Sequence, residues 1–349
     1  MRIFRLVLVL AALWYGGLPR AACAAPVPTT NRLVLASWNV ENLFDPYEDA
    51  ANPGSKDFTP GGWARWTPQR YAQKLEHLAE VIAAMQPDIL CLTEVENRRV
   101  LEDLVRTLHE KQACDLPVIL HREGGDHRGI DVAMLARYAP AATNWIAPVP
   151  EQRDILVARF VVGGRPLTVV LNHWKSWVGD AAENVRIRTR KAKASRGEVE
   201  RRLAAEPAAA VVATGDFNDN ADSAILTNAA GYVLWKAPTA RGDGVAGVLH
   251  NLSGLLPPEK RGTYYYARNQ VWNSFDSISV SRGMLAGAPH PAPWRVQPDS
   301  YAVFSLPAQR DADGHPLPFH RVRSRALGDV YLTGYSDHFP VRVVLVAAP

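Results

Sequence analysis

Residues 209–219 read AAVVATGDFND, an apolar stretch that ends in a glycine followed by acidic and amide side chains. The apolar part predicts a buried β-strand over Ala209–Thr214, and Gly215 lets the chain turn tightly where that strand ends. Asp216 and Asn218 are two residues apart and can point to the same side, where they would hold one water molecule or one phosphate oxygen. The alternative is an Asp-Asn turn that binds nothing, because such turns are common.

The same arrangement, a polar residue at the end of an apolar strand, recurs along the chain. It follows the strands predicted at Leu33–Trp38, Ile89–Leu92 and Leu167–Leu171, and it lies in or beside those predicted at Phe275–Val280 and Val341–Val346. Polar groups at strand ends of a layered α/β protein gather at one edge of the core, where ligands normally bind. We therefore expect one site that joins Asp216 and Asn218 to Asn39, Glu94, Asn172, His173, Asp276, Asp337 and His338.

The order of strands and helices predicts an α/β fold in which one sheet packs on another. Thr67-Pro68 is typical of a helix start, and a polar, basic helix is predicted over about 183–204. Strands outnumber helices, and helices fall between only some of them, which favours two packed sheets with outer helices. The remaining strands are predicted at Val118–His121, Val132–Ala136 and Ile155–Val162.

The side chains at these strand ends suit metal-assisted hydrolysis of a phosphate ester. This reaction requires neutralised phosphate oxygens, an activated water and a stabilised leaving oxygen. Glu94 offers a carboxylate oxygen to Mg²⁺ or Mn²⁺, and Asn39 can provide or orient such a ligand. His338, beside Asp337, is a candidate general base, and Asp276 is the carboxylate that would fix its tautomer.

The segment Asn172-His173-Trp174-Lys175-Ser176 adds a second histidine and a lysine. Both side chains are suited to contact the scissile phosphate. The alternative for Lys175 is a solvated charge at the rim of the site.

Taken in order, six short segments resemble the endonuclease/exonuclease/phosphatase superfamily, to which pancreatic deoxyribonuclease belongs. The resemblance covers about residues 33–347 and implies a four-layer α/β sandwich, deoxyribonuclease I-like, with two packed mixed β-sheets flanked by helices. The segments are Ser37-Trp38-Asn39, Thr93-Glu94, Asn172-His173, Gly215-Asp216-Phe217-Asn218, Phe275-Asp276 and Ser336-Asp337-His338.

The resemblance also implies a cofactor and a role for each matching residue. Mg²⁺ or Mn²⁺ is the expected cofactor, and the number of ions is left open. His338 would act as general acid or base, and His173 would stabilise the pentacovalent phosphate. The roles are metal binding by Asn39, Glu94 and Asp337, catalysis by His173, Asp216, Asn218, Asp276 and His338, and substrate binding by Arg128, Asn172 and Lys175.

A nuclease acting on DNA or RNA is the favoured activity, and no protein partner is predicted. The inositol phosphatases of the superfamily have an arginine where this chain has Asp219. The basic helix could follow a phosphate backbone, although Glu183, Glu198 and Glu200 interleave and favour a merely solvated face. The basic residues are Arg186, Arg188, Arg190, Lys191, Lys193, Arg196, Arg201 and Arg202.

Three other functions are weighed against a nuclease. The first is a phosphatase or phosphodiesterase acting on small phosphoesters. The second is a sphingomyelinase-like phospholipid hydrolase, in which Trp63 and Trp66 or the tyrosines at 264–266 would enter a membrane, although both runs fit ordered loop or strand packing better. The third is a binder that has lost the chemistry, which is disfavoured because every expected catalytic position is filled.

The N-terminal residues predict an export signal. Arg2 and Arg5 precede the apolar run Leu6–Leu13, and Ala22-Cys23-Ala24 supplies small residues for cleavage. We therefore expect a signal peptide over 1–25 and one domain over 26–349, periplasmic or secreted, without stable membrane insertion after cleavage. Cleavage would also remove Arg20 and lower the formal net charge from +4 to +1, so overall charge does not argue for nucleic acid.

Cys91 and Cys114 are the cysteines that would remain after cleavage. Export permits a disulfide between them. The alternative is two buried free thiols, since Cys91 lies inside an apolar, strand-like run.

Overall fold

The computed structural model describes residues 30–235, 248–324 and 328–348. The predicted signal peptide over 1–25 lies outside these residues, and the division into signal and domain stays a prediction. Within the described ranges, no helix is both long and apolar enough to cross a membrane.

The first part of the chain contains the three long helices and the longest strands. The helices are α1 (Pro68–Met85), α2 (Arg98–Gln112) and α3 (Ala181–Ala205). α1 begins where predicted, because the Thr67 side chain accepts the backbone N–H of Arg70 and Pro68 occupies the first turn. The strands are β1 (Arg32–Leu43), β2 (Ile89–Val95), β3 (Val118–His121), β4 (Asp131–Ala136), β5 (Ala142–Ile146), β6 (Ile155–Val162), β7 (Arg165–His173) and β8 (Val211–Asp216).

The later strands are mostly short. They are β9 (Tyr232–Leu234), β10 (Leu249–Asn251), β11 (Tyr264–Tyr266), β12 (Val271–Asn273), β13 (Asp276–Val280), β14 (Trp294–Val296), β15 (Ala302–Val303), β16 (Arg321–Ser324), β17 (Gly328–Tyr331) and β18 (Val341–Ala347). β11 pairs with β12 and β16 with β17 as separate two-stranded ribbons.

Most strands form two mixed sheets. The first has the order β14-β18-β1-β2-β4-β3, with β15 also paired to β18, and the second has the order β5-β6-β7-β8-β13-β10-β9. The central pairs β1–β2 and β7–β8 are parallel, whereas the strands that flank these pairs run antiparallel to them. The two strands of each pair therefore end at the same edge of their sheet, where their carboxyl ends can supply side chains.

Apolar side chains fill three layers between and outside the sheets. Leu35 and Cys91 of the first sheet meet Leu171 and Val212 of the second in the central core. α1 and α2 cover the outer face of the first sheet, and α3 covers that of the second. The predicted four-layer α/β sandwich is confirmed.

Cys91 and Cys114 are both free and buried, so the disulfide is ruled out and the alternative of two free thiols is confirmed. The reason is their position. Cys91 faces the central core between the sheets, whereas Cys114 packs in the outer core with the helices. Burial raises the pKa of each thiol, which keeps both protonated and unreactive.

Candidate active site

A cavity of about 1110 Å³ opens at the edge where the central strands end. Asn39 and Asp276 lie directly behind its wall, because each is hydrogen-bonded to a residue that lines it. The structure therefore brings together nine of the predicted residues. Those that line the cavity are Glu94, Arg128, His173, Asp216, Asn218, Asp337 and His338.

His338 and Asp276 form a buried pair. Nδ1 of the imidazole lies 2.7 Å from Oδ2 of Asp276, which fixes the ring and leaves Nε2 directed to the cavity side. Burial alone would lower the pKa of His338, but the carboxylates of Asp276 and Asp337 outweigh it and hold the pKa well above its usual value. The pair has the arrangement expected of a general acid or base with its orienting carboxylate.

Asp216 ends β8 and is held by amide donors. Its Oδ2 accepts from Asn39 Nδ2 at 2.9 Å and from Asn218 Nδ2 at 3.2 Å, and its Oδ1 accepts the backbone N–H of Asn218 at 2.7 Å. Burial, followed by repulsion from Asp276, raises the pKa of Asp216 to about 6. The Asp-x-Asn segment is thus a built part of the site and not an idle turn.

Gly215 is required where β8 meets β7. Its φ is +129°, and a Cβ there would lie 1.8 Å from the carbonyl oxygen of Asn172. Only glycine allows the two strands to approach so closely, and the approach brings His173 beside Asp216. His173 Nε2 lies 3.7 Å from Asp216 Oδ2.

His173 is a buried histidine whose pKa is lowered well below its usual value. Burial is the main cause, and the nearby charges of Arg153 and Lys191 act in the same direction. The ring is therefore neutral, and it can donate or accept a hydrogen bond at the cavity.

Asn39 orients carboxylates through its amide nitrogen. Its Oδ1 accepts the backbone N–H of Glu41 at 2.9 Å, so this atom must be the amide oxygen. The amide nitrogen consequently faces Glu94 Oε1 at 3.3 Å and Asp216 Oδ2 at 2.9 Å. Of the two roles expected for Asn39, this geometry favours orienting a ligand, and metal binding by its oxygen stays a prediction.

Glu41 is a cavity residue that sequence reasoning missed. Its side chain is buried and accepts the backbone N–H groups of Phe319 at 2.6 Å and Asp337 at 3.1 Å, together with a bond to the ring of His320. Burial would raise its pKa, but the His320 contact and the charge of Lys74 lower it. The sequence contained one signal for Glu41. It follows Asn39 by two residues, which is the same spacing as between Asp216 and Asn218.

Backbone irregularities aim several of these side chains. The register between β1 and β2 shifts at Asn39/Leu43, and that between β2 and β4 shifts at Thr93/Val95. Within these bulges Glu41, Asn42 and Glu94 have φ values of 52°, 53° and 64°. Non-glycine residues with positive φ are uncommon and concentrate at functional sites.

Lys74 is a second residue that was missed, because α1 was read only by its apolar face. It is fully buried, and its Nζ donates to the carbonyl of Tyr335 at 2.6 Å. Burial lowers its pKa to about 8, opposed by the charges of Glu41, Asp337 and Glu94. A cation therefore lies beneath the acidic side of the cavity.

The carboxylates of Glu41, Glu94 and Asp337 line the acidic side of the cavity and offer hard oxygen atoms to a divalent cation. Burial, and then repulsion from Glu41 and Glu94, raises the pKa of Asp337 to about 7. Magnesium binds such hard oxygens with few protein ligands and keeps several waters, which suits an open cavity.

A second group of potential ligand atoms comes from Asp216, Asp276 and His338, all within 4.8 Å of one another. In this group, Nδ1 of His338 is already bonded to Asp276, and both oxygens of Asp216 accept amide hydrogens. We therefore assign these residues to proton transfer and positioning.

Two predicted substrate contacts are not brought to the cavity. Asn172 is fully buried, with its amide bonded to Trp174 Nε1 at 3.1 Å and to the carbonyl of Val170 at 3.3 Å. Lys175 bends back on its own loop, where its Nζ donates to the carbonyl of Val178 at 2.9 Å. Neither side chain lines the cavity, which corrects both predictions and favours the rim alternative for Lys175.

The basic helix α3 supports the site from behind. Arg188 is buried and donates to the carbonyl of Asn218 at 2.7 Å. Lys191 is also buried, and its Nζ donates at 2.6 Å to the carbonyls of both Arg153 and His173. Neither residue is therefore available to a phosphate backbone, which was the less favoured possibility for this helix.

Most of the remaining charges of α3 are paired with acidic neighbours. Arg186 pairs with Glu183 and Arg196 with Glu200, while Glu198 receives both Arg201 and Arg202. This pattern favours the alternative of a solvated outer face.

Exposed aromatic and basic side chains form the rim of the cavity. Trp63 and Trp177 are 52% and 48% exposed, and both line the opening together with Tyr266. Arg323 lies exposed on the same rim, whereas Arg321 is buried and donates to the carbonyl of Trp63 and to Asp329. Trp66 is buried in the outer core, and Tyr264 packs at 4.8 Å on the ring of His338, so these residues serve loop and wall packing, as expected.

Solved structures share this fold at low sequence identity. Caenorhabditis elegans TDP2 is 16% identical, with a TM-score of 0.55 over 93% of this chain and 77% of that protein. D. rerio TDP2 in complex with a single-strand DNA product is 16% identical, with a TM-score of 0.54 over 90% and 99%. A mannosyl-6-phosphatase from Bacteroides thetaiotaomicron is 18% identical, with a TM-score of 0.51 over 90% and 99%. These likenesses support the fold.

The sequence itself carries the assignment. No curated protein matches it. A model of the endonuclease/exonuclease/phosphatase family matches residues 34–347, the span that contains both sheets and the cavity residues. With the fold, the cavity and this match in agreement, the chain belongs to the endonuclease/exonuclease/phosphatase family of phosphoester hydrolases.

Proposed function

We propose that this protein is an exported phosphodiesterase that uses Mg²⁺ or Mn²⁺ and hydrolyses DNA or RNA. The observation that carries the proposal is the buried His338–Asp276 pair, which shares a cavity with Asp216, His173 and the carboxylates of Glu41, Glu94 and Asp337. Export rests on the signal-like residues 1–25.

Glu94 and Asp337 would hold the ion, whose charge would neutralise phosphate oxygens and stabilise the leaving oxygen. The chain's own groups orient the reactants and move protons. Asp216, fixed by two amide donors, is placed to orient and deprotonate the attacking water. Nε2 of His338 is placed to exchange a proton with the phosphoryl group, because Nδ1 is anchored on Asp276.

The rim supports a nucleic-acid substrate. Exposed tryptophans offer flat surfaces on which bases stack, and the exposed guanidinium of Arg323 would attract the phosphate backbone. Trp177 lies over the guanidinium of Arg188, whose Cζ is 3.2 Å from the ring centroid, so its opposite face is the one left for a base. The D. rerio TDP2 structure with a single-strand DNA product adds support from the same fold.

Removing divalent metal is expected to abolish hydrolysis, because the clustered carboxylates would then repel the phosphate. The purified mature protein would be treated with EDTA and assayed on plasmid DNA, RNA, bis-(p-nitrophenyl) phosphate, sphingomyelin and nucleotides. Activity should return with Mg²⁺ or Mn²⁺ and should be highest on DNA or RNA. Undiminished activity after complete chelation would contradict the metal requirement.

Replacing both rim tryptophans, Trp63→Ala and Trp177→Ala, is expected to raise KM for a single-stranded oligonucleotide by about 10-fold or more. Loss of stacking costs about 1–3 kcal/mol per base. KM for bis-(p-nitrophenyl) phosphate should change by less than about 3-fold, since it reaches only the floor of the cavity. Tyr47→Ala, which removes an aromatic ring that is 58% exposed away from this cavity, is the matched control.

The alternative is hydrolysis of small phosphoesters, as the name of the Bacteroides mannosyl-6-phosphatase suggests for that protein. In that case the double tryptophan variant would retain its full activity on the preferred substrate. The same substrate panel would then show release of phosphate from nucleotides or sugar phosphates and no cleavage of plasmid DNA.

A further inference from the structure

A further group of potential metal ligands lies outside the active site, at the base of the loop that joins β3 to β4. His121 ends β3, Asp131 begins β4, and Glu123 lies in the loop between them. One ligand atom from each residue lies within 4.8 Å of the other two. His121 is opposite Ala133 in the strand pair, so Asp131, two residues earlier, is its diagonal neighbour on the same face.

One ring nitrogen of His121 lacks a hydrogen-bond partner. Its side chain is 2% exposed, and Nε2 is buried without a hydrogen-bond partner. The nearest acceptor is Oδ2 of Asp131 at 3.6 Å, which is too long for a hydrogen bond. A buried polar atom left without a partner costs free energy, so a ligand for this nitrogen is expected.

The 3.6 Å separation suits two atoms that bind the same ion. Nitrogen and oxygen ligands lie about 2.0–2.1 Å from Zn²⁺, so in a tetrahedral site they are roughly 3.3 Å from each other. Glu123 Oε1 lies 3.8 Å from the other ring nitrogen, Nδ1, and its side chain is 65% exposed and free to turn toward Nε2.

The carboxylates of this group are also short of positive charge. In the part of the chain that the structure describes, His121 is the only basic side chain within 4.0 Å of Glu123 or Asp131. Asp131 is buried and accepts the backbone N–H of Gly124 at 3.1 and 3.2 Å.

We propose that His121, Glu123 and Asp131 bind a divalent transition metal ion, with Zn²⁺ as the best fit. One imidazole nitrogen with two carboxylates favours zinc over Mg²⁺ and Ca²⁺, which prefer oxygen alone. Glu123 also lines a separate cavity of about 410 Å³ together with Asp45 and Asp49, so this side of the group faces solvent. Water would complete the coordination on this exposed side.

The ion would tie together the two ends of a loop that reaches the active site. Within this loop, Asp126 forms a buried ion pair with Arg153, and Arg128 lines the active-site cavity. Bound metal would hold Arg128 in place without taking part in the reaction. Binding at this site does not depend on the proposed phosphodiesterase activity.

Another group of two carboxylates and a histidine differs from this one in the hydrogen bonding of its histidine. Asp311, Asp313 and His315 also lie within reach of one ion. However, His315 Nδ1 is bonded to Asp311 at 3.2 Å, and its ring stacks on Tyr265. Its contacts are satisfied, so this group provides a matched control on the same chain.

The test measures Zn²⁺ binding to metal-free protein by calorimetry and by thermal unfolding, without any activity assay. Wild type, Glu94→Gln and His315→Ala should bind a zinc equivalent that raises Tm. Glu123→Gln and His121→Asn should lower the affinity for this zinc ion by at least about 10-fold. Glu123→Gln alters an exposed side chain, so it folds even if the His121 variant does not.

Crystals soaked in Zn²⁺ would locate the ion by anomalous scattering. A peak bonded to Nε2 of His121 supports the site. Unchanged zinc affinity in Glu123→Gln, or a peak confined to the active-site cavity, would overturn it. If the proposed function is wrong, the result is a different one: the wild-type protein cleaves no phosphodiester, with or without bound zinc.

Discussion

Replacing His338 with alanine is expected to lower kcat by about 100- to 10,000-fold, the range that a general acid or base contributes. The imidazole is the proton-exchanging group whose orientation is fixed from behind by Asp276, and alanine removes both its proton and its charge. Steady-state kinetics on the best nucleic-acid substrate at saturating Mg²⁺ would measure the loss. Circular dichroism and Tm would verify that the variant is folded.

Asp276→Asn provides the companion measurement. The amide can still contact Nδ1 but cannot hold the charged ring, so the loss in kcat should be smaller than that of His338→Ala. The double variant should lose little more than His338→Ala alone, because residues that act as one unit are not additive. A His338→Ala enzyme with near-normal turnover would remove this histidine from the mechanism.

Replacing Arg153 with methionine is expected to destabilise the protein by about 3–5 kcal/mol, the cost of breaking a buried ion pair. The guanidinium lies 2.8 Å from Asp126 Oδ2 and 2.7 Å from the carbonyl of Trp174, with both charged side chains buried. Methionine has a similar length but leaves the Asp126 carboxylate buried without a partner. Urea unfolding monitored by tryptophan fluorescence would give the free-energy difference.

The exposed pair of Arg98 and Glu102 is the matched control for this prediction. Arg98→Met should change the free energy of unfolding by less than about 1 kcal/mol, because solvated pairs contribute little. Adding Asp126→Asn to Arg153→Met should recover part of the loss by removing the unpaired charge. An Arg153→Met protein as stable as Arg98→Met would show that the buried pair does not hold the loop and strand ends together.

The parts of the fold with a strong apolar pattern could be predicted from the sequence. β6 was predicted at its observed bounds, and α1 at its observed start, because an apolar run and a capped helix each leave a local signal. β9–β12 and β14–β17 contain two to four residues each, too few to show a period. β10, β14 and β15 pair with strands that are distant in the sequence, which no local pattern reveals, whereas β11–β12 and β16–β17 are local ribbons.

The site was predictable where chemistry follows directly from strand ends. Glu41 and Lys74 were missed because a bulge and the buried face of a helix bring them there. The error at Asn172 has a simple cause. Consecutive residues of a strand point to opposite faces, so Asn172 and His173 could not both enter the cavity. His173 enters it, and Asn172 points into the protein.

The hydrogen bond between Asn39 and Asp216 joins the two sheets, since Asn39 belongs to β1 and Asp216 to β8. The cavity thus lies where the two sheets meet. The acidic residues of its wall belong to or adjoin the first sheet, and most of the proton-transfer residues belong to the second. A shift of about 1 Å between reacting groups can cost roughly 100-fold in rate. Side chains such as Leu35 and Val212 lie in the core between the sheets, far from any substrate. They therefore set the catalytic geometry by fixing how the two sheets are aligned.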